Sequence, residues 1–232
     1  MKELNTLGLG TIEEATPMHE VVYQRLRRAL MAGQIGPGQK LTSRKIAQEL
    51  GTSDMPVRAA LTKLQSLRAL AQLPNGSLTL PPMTRARFQD LMKTREVCEG
   101  AATELASAQL SAAEIKAIKK GAAALTAAAQ NKDIDDYLIR NYEFKFLIYR
   151  ASHSESLIFL IETLWLQIGP FLRQFGSHFN GDLGKILDID FHEETVEALE
   201  RGDGVAAAMA IRRDIAEGAK FLLEQGTFAA EA

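Results

Sequence analysis

From Thr84 to about Gln225 the sequence holds no run that alternates apolar and polar residues over the length of a strand. Alanine-rich segments with apolar residues three and four apart follow one another instead, separated by short polar breaks. A chain patterned this way has only helices with which to bury a core, so its last two thirds should be a helical bundle. The breaks place six helices, near 85–108, 111–130, 133–152, 154–173, 185–201 and 204–225. Ser111-Ala112-Ala113-Glu114 has the spacing of a capping box, and Gly202-Asp203-Gly204 separates the last two helices. In the fourth, Leu157, Ile158, Leu160, Ile161, Leu164, Trp165, Leu166 and Ile168 leave almost no polar face, which suits a central core helix or a subunit interface. Glu162, Thr163, Gln167, Gly169 and Pro170 interrupt it, so it offers no clean run of about 18 apolar residues with which to span a bilayer.

The first third is patterned differently. A helix is expected after Thr16-Pro17, since threonine caps free amides and proline is pre-set for the first turn. Val22, Leu26 and Leu30 form its buried stripe, and Gly33 with Gly36-Pro37-Gly38 ends it. Thr42 caps a short second helix that buries Ile46, Ala47 and Leu50 and stops at Gly51. A third begins around Ser53 and turns Val57, Ala60, Leu61 and Leu64 inward. Helix, short helix, turn, helix is an arrangement that reads DNA. Two short apolar runs, Leu70 to Leu73 and Leu78 to Leu80, then flank Pro74-Asn75-Gly76-Ser77. Asn-Gly in that position predicts a β-hairpin with a type I′ turn, hence a wing. Pro81-Pro82 cannot continue a ladder and favours an extended linker. The domains are therefore expected at 1–80 (winged helix-turn-helix), 81–83 (linker) and 84–232 (helical body).

Charge follows the same division. Between Val21 and Met83 there are nine Lys and Arg (Arg25, Arg27, Arg28, Lys40, Arg44, Lys45, Arg58, Lys63, Arg68) against Glu49 and Asp54, a net of +7. From Thr84 onward 17 basic residues face 23 acidic ones. A formal net charge of −2 for the whole chain conceals a basic head on an acidic body, as expected of a nucleic-acid-binding module carried by a separate domain. With Cys98 as the sole cysteine a disulfide scaffold is excluded, and one thiol suits a reducing cytoplasm. Glu3, Glu13 and Glu14 stand where a signal peptide would carry cationic and apolar residues.

Residues 21–80 resemble the winged helix-turn-helix of GntR-family transcription regulators. The resemblance rests on Leu26, Leu30, Gly33, Pro37-Gly38, Leu41, Arg44, Ile46-Ala47, Leu50-Gly51, Ser53, Pro56-Val57-Arg58, Ala60-Leu61, Leu64 and Asn75-Gly76. The remainder is similar to the helical FCD-type effector domain of the FadR-like branch, with Arg95 and Glu99 in its first helix and His192 in its fifth; six helices suit the VanR-type subgroup. The resemblance implies a homodimeric regulator, most often a repressor, that binds a double-stranded operator and responds to a small anionic metabolite such as an organic or sugar acid.

The resemblance assigns DNA contacts to Arg44, Ser53, Asp54, Met55, Pro56, Arg58, Asn75 and Gly76. Chemistry supports the assignment. Arginine meets phosphate or guanine bidentately, a serine at a helix start meets phosphate, and an Asn-Gly tip is slim enough for the minor groove. The bland readings are an Arg44–Glu49 ion pair, simple capping by Ser53, and a hairpin that only connects. Asp54 replaces a DNA-facing arginine, Ala59 a glutamate, and Arg68 a helix-ending glycine. FCD relatives hold a metal with an Asp and a His one turn apart and two further histidines. The matching positions here are Asn141, Lys145, His192 and Asp214. A protonated ammonium has no lone pair for a metal, so a metal-free effector site is expected, made of Arg95, Asn141, Lys145, His192 and Asp214, with no cofactor. The other classes are an enzyme using Lys145, His192 and Asp214 for acid–base work, and a DNA-binding protein without a ligand. No phosphate loop, nucleophile elbow or HExxH supports catalysis.

Overall fold

A computed structural model describes residues 17–179 and 182–231. The expected Thr16 cap and the acidic residues Glu3, Glu13 and Glu14 lie outside these. The head comprises α1 (Met18–Met31), α2 (Ser43–Leu50), α3 (Asp54–Ser66) and the strands β1 (Ala71–Gln72) and β2 (Leu78–Thr79). The body comprises α4 (Arg85–Ser107), α5 (Ala112–Gln130), α6 (Ile134–Arg150), α7 (Glu155–Leu172), the single turn α8 (Phe175–His178), a 3-10 helix (Leu183–Asp188), α9 (His192–Glu200) and α10 (Gly204–Gln225).

Local chemistry explains most boundaries. Thr42 accepts from the Lys45 amide, and Gly51 ends α2 at φ +63°. Ser111 and Glu114 form the capping box, each satisfying the other's backbone amide. Pro17 stands at the cap of α1, one position before the helix, and supplies no capping side chain. The helix expected at 185–201 is shorter: its first turn is the 3-10 segment, and α9 begins at His192, where Asp190 Oδ1 accepts from the His192 amide at 2.9 Å. The chain therefore breaks at a carboxylate that satisfies an orphan N–H of the next helix.

The hairpin is antiparallel, with Ala71 opposite Thr79 and Gln72 opposite Leu78, and Leu41 adds a third rung on Leu78. Its tip is not the expected type I′ turn. Gly76 alone has positive φ (+81°), whereas Asn75 does not. Pro74 holds its own φ negative, and the Asn75 side chain accepts from the Ser77 amide at 3.1 Å, which fits a type I turn closed by a left-handed glycine. Arg68, where a glycine usually ends the recognition helix, adopts φ +58°. The turn keeps the glycine's conformation at a cost of about 1–2 kcal/mol.

Body helices α4 and α10 pack along each other, as do α5 and α6. Helix α7 carries Ile161, Trp165, Leu166 and Ile168 into the core and leaves Phe159 and Leu160 exposed. Glu155–His178 has the length and mean hydropathy (1.3) of a membrane span, but half of that window is buried in the bundle, where α7 packs against α1 and α4 as a core helix.

The head is docked on the body, not merely tethered to it. Arg27 pairs with Glu162 at 2.5 Å and Arg28 with Glu143 at 2.6 Å; Arg173 donates to the Gly33 carbonyl at 2.8 Å. Two of the nine head cations thus hold the body instead of facing outward. At the contact a Cβ on Gly169 would lie 2.6 Å from the Leu30 and Met31 carbonyl oxygens. Both are backbone atoms, so α1 and α7 approach closely only because position 169 has no side chain. Gly169→Ala should push α1 off α7 and lower stability by about 1–3 kcal/mol in urea unfolding. An unchanged midpoint would show that the two helices separate freely.

Candidate functional site

The recognition face is built by α2, α3 and the wing, which bound an open groove of about 510 Å³ lined in part by Ser43, Arg58, Asn75 and Gly76. Arg44 is exposed near the start of α2. It does not make the ion pair with Glu49 weighed above; Lys45 approaches that residue, at 4.0 Å. Ser53 caps α3 by position but makes no side-chain capping bond, so its exposed hydroxyl is available to a ligand. Met55 is 76% exposed. Pro56 sits in the first turn of α3, where a missing N–H costs no hydrogen bond.

Asp54, one turn before Arg58, accepts from its Nε. The neighbouring Ser43 hydroxyl and the Arg58 guanidinium hold the Asp54 carboxyl below the usual carboxylate range. In the free protein the departure at position 54 thus engages the arginine expected to read DNA. An exposed pair one helical turn apart is weak, so a phosphate or guanine can compete for the guanidinium.

Two buried polar networks lie inside the body. Glu99 is fully buried; it accepts from Arg95 Nε at 2.6 Å and Nη2 at 3.3 Å, from Trp165 Nε1 at 3.0 Å and from the Tyr149 hydroxyl. The Arg95 guanidinium also lies over the Trp165 ring, 4.7 Å from its centre. Burial, reinforced by Glu99, pushes the Tyr149 hydroxyl well above its ordinary range, so it stays a neutral donor. Lys145 meets Asp214 at 2.5 Å, and the other Asp214 oxygen takes the Phe191 amide at 3.2 Å. Arg95, Asn141, Lys145 and Asp214 line one cavity of about 40 Å³, room for little more than a water molecule.

His192 does not line this cavity. Its Nδ1 lies 2.6 Å from Asp190 and its Nε2 2.8 Å from Thr126, so both ring nitrogens are engaged. Asp190 does line it, and its second oxygen takes the Tyr137 hydroxyl at 2.8 Å. Sequence reasoning missed Asp190 and Tyr137; the available signal was an acid two residues before the start of a helix. The donor set does not fit a metal. An ammonium occupies the Asp214 carboxylate, and among the described residues no group of three or more His, Cys, Asp or Glu comes together as ligands.

Burial favours a neutral His192 ring, but the hydrogen bond and charge of Asp190 outweigh it and raise the imidazole above its ordinary value. Stability from this pair is therefore complete below about pH 6.5 and is lost as pH rises through the folded value. On the acid side Asp190 is depressed by His192 against its own burial, so its contribution disappears as pH falls through that lowered value. The melting temperature should fall between pH 6 and pH 8.5, and His192→Gln should flatten that slope; equal slopes in the two proteins would contradict a charged His192.

Comparison with known proteins bears on this geometry. Residues 18–79 match the family described as bacterial regulatory proteins, gntR family, and residues 90–217, more than half of the chain, match the FCD domain. The chain belongs to the GntR family. The HTH-type transcriptional regulator McbR of Escherichia coli (strain K12) is 30% identical over 159 residues, 68% of this chain and 72% of that protein. The Glc operon transcriptional activator of the same strain is 25% identical over 171 residues, 66% of this chain and 67% of that one. The HTH-type transcriptional repressor RspR is 20% identical over 201 residues, 87% of each. The solved E. coli McbR/YncC structure superposes with a TM-score of 0.84 at 24% identity, covering 92% of this chain and all of the other, and so supports the fold. This GntR-family protein is a helix-turn-helix transcriptional regulator with an FCD body, not an enzyme. The acid–base reading of Lys145, His192 and Asp214 is thereby set aside.

Proposed function

We propose that this regulator is a repressor that binds a nearly palindromic operator as a homodimer, in the cytoplasm, and is controlled by a small anionic metabolite bound without metal in the helical body. The observation that carries the DNA half is the groove at which Arg58, Ser43 and Asn75 converge, with Arg44 and Ser53 exposed on the adjoining elements. Two identical heads related by a two-fold axis read inverted half-sites. In the body, Arg95 and Lys145 are the cations of the cavity, and each is neutralised by a buried carboxylate, Glu99 or Asp214. The described cavity is the closed form. An organic or sugar acid enters by taking Lys145 from Asp214 while Asn141 supplies a polar neighbour and His192 holds Asp190 from behind the cavity wall, which separates α6 from α10.

Selection from random duplexes supplies the operator, after which affinity is measured at fixed salt with and without each anion that raises the melting temperature. The reading expects an inverted repeat, a dimer in sedimentation, and an anion that weakens operator binding in the wild type but not in Lys145→Met. Stoichiometric tightly held zinc, nickel or manganese in protein purified without added metal would overturn the metal-free site. An operator without symmetry would overturn the paired heads.

A further inference from the structure

A second cavity lies outside the bundle. A cavity of about 360 Å³ lies where head, linker, body and C-terminal tail meet, within the usual size range of small-molecule sites and about ninefold larger than the bundle cavity. Leu80 and Met83 wall it from the linker side, Phe171 from α7 and Phe228 from the tail. The tail is held there by its backbone: the Ala229 amide donates to the Met83 carbonyl at 2.9 Å, and Phe228 packs on Phe171 with ring centres 5.1 Å apart.

Gln167, Gln174 and Thr227 also line it, and one lining side chain, Arg87, is charged. Arg87 is half-buried, and its described hydrogen bonds all go to neutral acceptors: the Pro82 and Arg68 carbonyls at 3.4 Å and Gln167 Oε1 at 2.9 Å. These engage three of its five N–H groups. No carboxylate of the described residues offsets its burial, and burial together with Arg68 weakens its hold on the proton. The fully buried cations among the described residues each have a carboxylate, Arg95 with Glu99, Lys145 with Asp214 and the His192 ring with Asp190, whereas half-buried Arg87 has none. Half-burying an arginine costs part of its hydration, and an anion at its unengaged N–H groups would offset that cost.

We infer that the cavity between head and body is a second ligand site, which takes a small amphipathic carboxylate. Its carboxylate pairs with the free N–H groups of Arg87, and its chain or ring lies against Phe171, Phe228, Leu80 and Met83. The site does not depend on the bundle cavity, and a ligand there touches both the head and the body.

Calorimetric titration of the full chain with octanoate and 3-phenylpropanoate tests it, alongside the matching uncharged amides. At least one carboxylate should bind, and its amide should bind about tenfold more weakly or worse. Arg87→Gln should weaken the carboxylate about tenfold. Ala229→Trp, which fills the space without touching the Arg87 bonds, should abolish binding, so the site remains testable if Arg87→Gln does not fold. Asn141→Leu, which fills the bundle cavity, should leave the titration unchanged; binding lost in Asn141→Leu but kept in Ala229→Trp would assign the ligand to the bundle and overturn the second site. Absence of binding by both carboxylates, or binding that survives both Arg87→Gln and Ala229→Trp, would also overturn it.

Discussion

Glu99→Ala should destabilise the protein by about 3–5 kcal/mol, the range for removing one member of a buried ion pair. Arg95 is 3% exposed, and Glu99 is its only carboxylate partner among the described residues. Removing it strands a guanidinium in the core and also frees the donors of the buried Tyr149 and Trp165. Domains of this kind are stable by about 5–15 kcal/mol in total, so one substitution removes a large fraction. Urea unfolding measures it, and a loss below about 1 kcal/mol would contradict the closed network. The double variant Arg95→Met with Glu99→Leu should lose less than the two single variants summed, because it removes the charge and its partner together.

Arg58→Ala should weaken specific operator binding by about 1–3 kcal/mol and relax the preference at one base position, whereas Arg44→Ala should weaken all sequences more evenly. The difference follows from placement. Arg58 projects from the exposed face of the recognition helix, one turn from the cap, while Arg44 is near the start of α2, which in this motif crosses the backbone. Asp54 adds a second test. Asp54→Asn removes the carboxylate that holds Arg58 in the free protein and repels phosphate, so it should raise affinity for random DNA more than for the operator. Wild-type affinity in Arg58→Ala, with circular dichroism showing a folded head, would remove this helix from the interface.

Position 54 illustrates the limit of reading a sequence. An acid where an arginine is usual was visible in the letters, and so was its conflict with phosphate; that it engages Arg58 depended on the helical phase that brings the two within reach. Arg68 was legible as a misfit for the same reason, a local one, and it does adopt positive φ. The hairpin was legible in existence but not in turn type, because Asn-Gly signals a reversal while the preceding Pro74 selects which one.

The sequence by itself determined the helical body, the winged head, the caps at Thr42 and Ser111, and the exposure of Arg44 and Arg58. These follow from periodicity, capping and turn chemistry, all of which act over a few residues. Only the tertiary structure decided what the buried charges meet. Arg95 closes on Glu99 within its own helix, but Lys145 finds Asp214 across 69 positions of chain, and His192 turns to Asp190 and Thr126 instead of the cavity. It likewise decided that Arg27 and Arg28 hold the body and that Gly169 lets the backbones of α1 and α7 touch. Where the partner lies on another helix, as Asp214 does for Lys145, it is set by which helices pack side by side, and no local pattern in the chain encodes that choice.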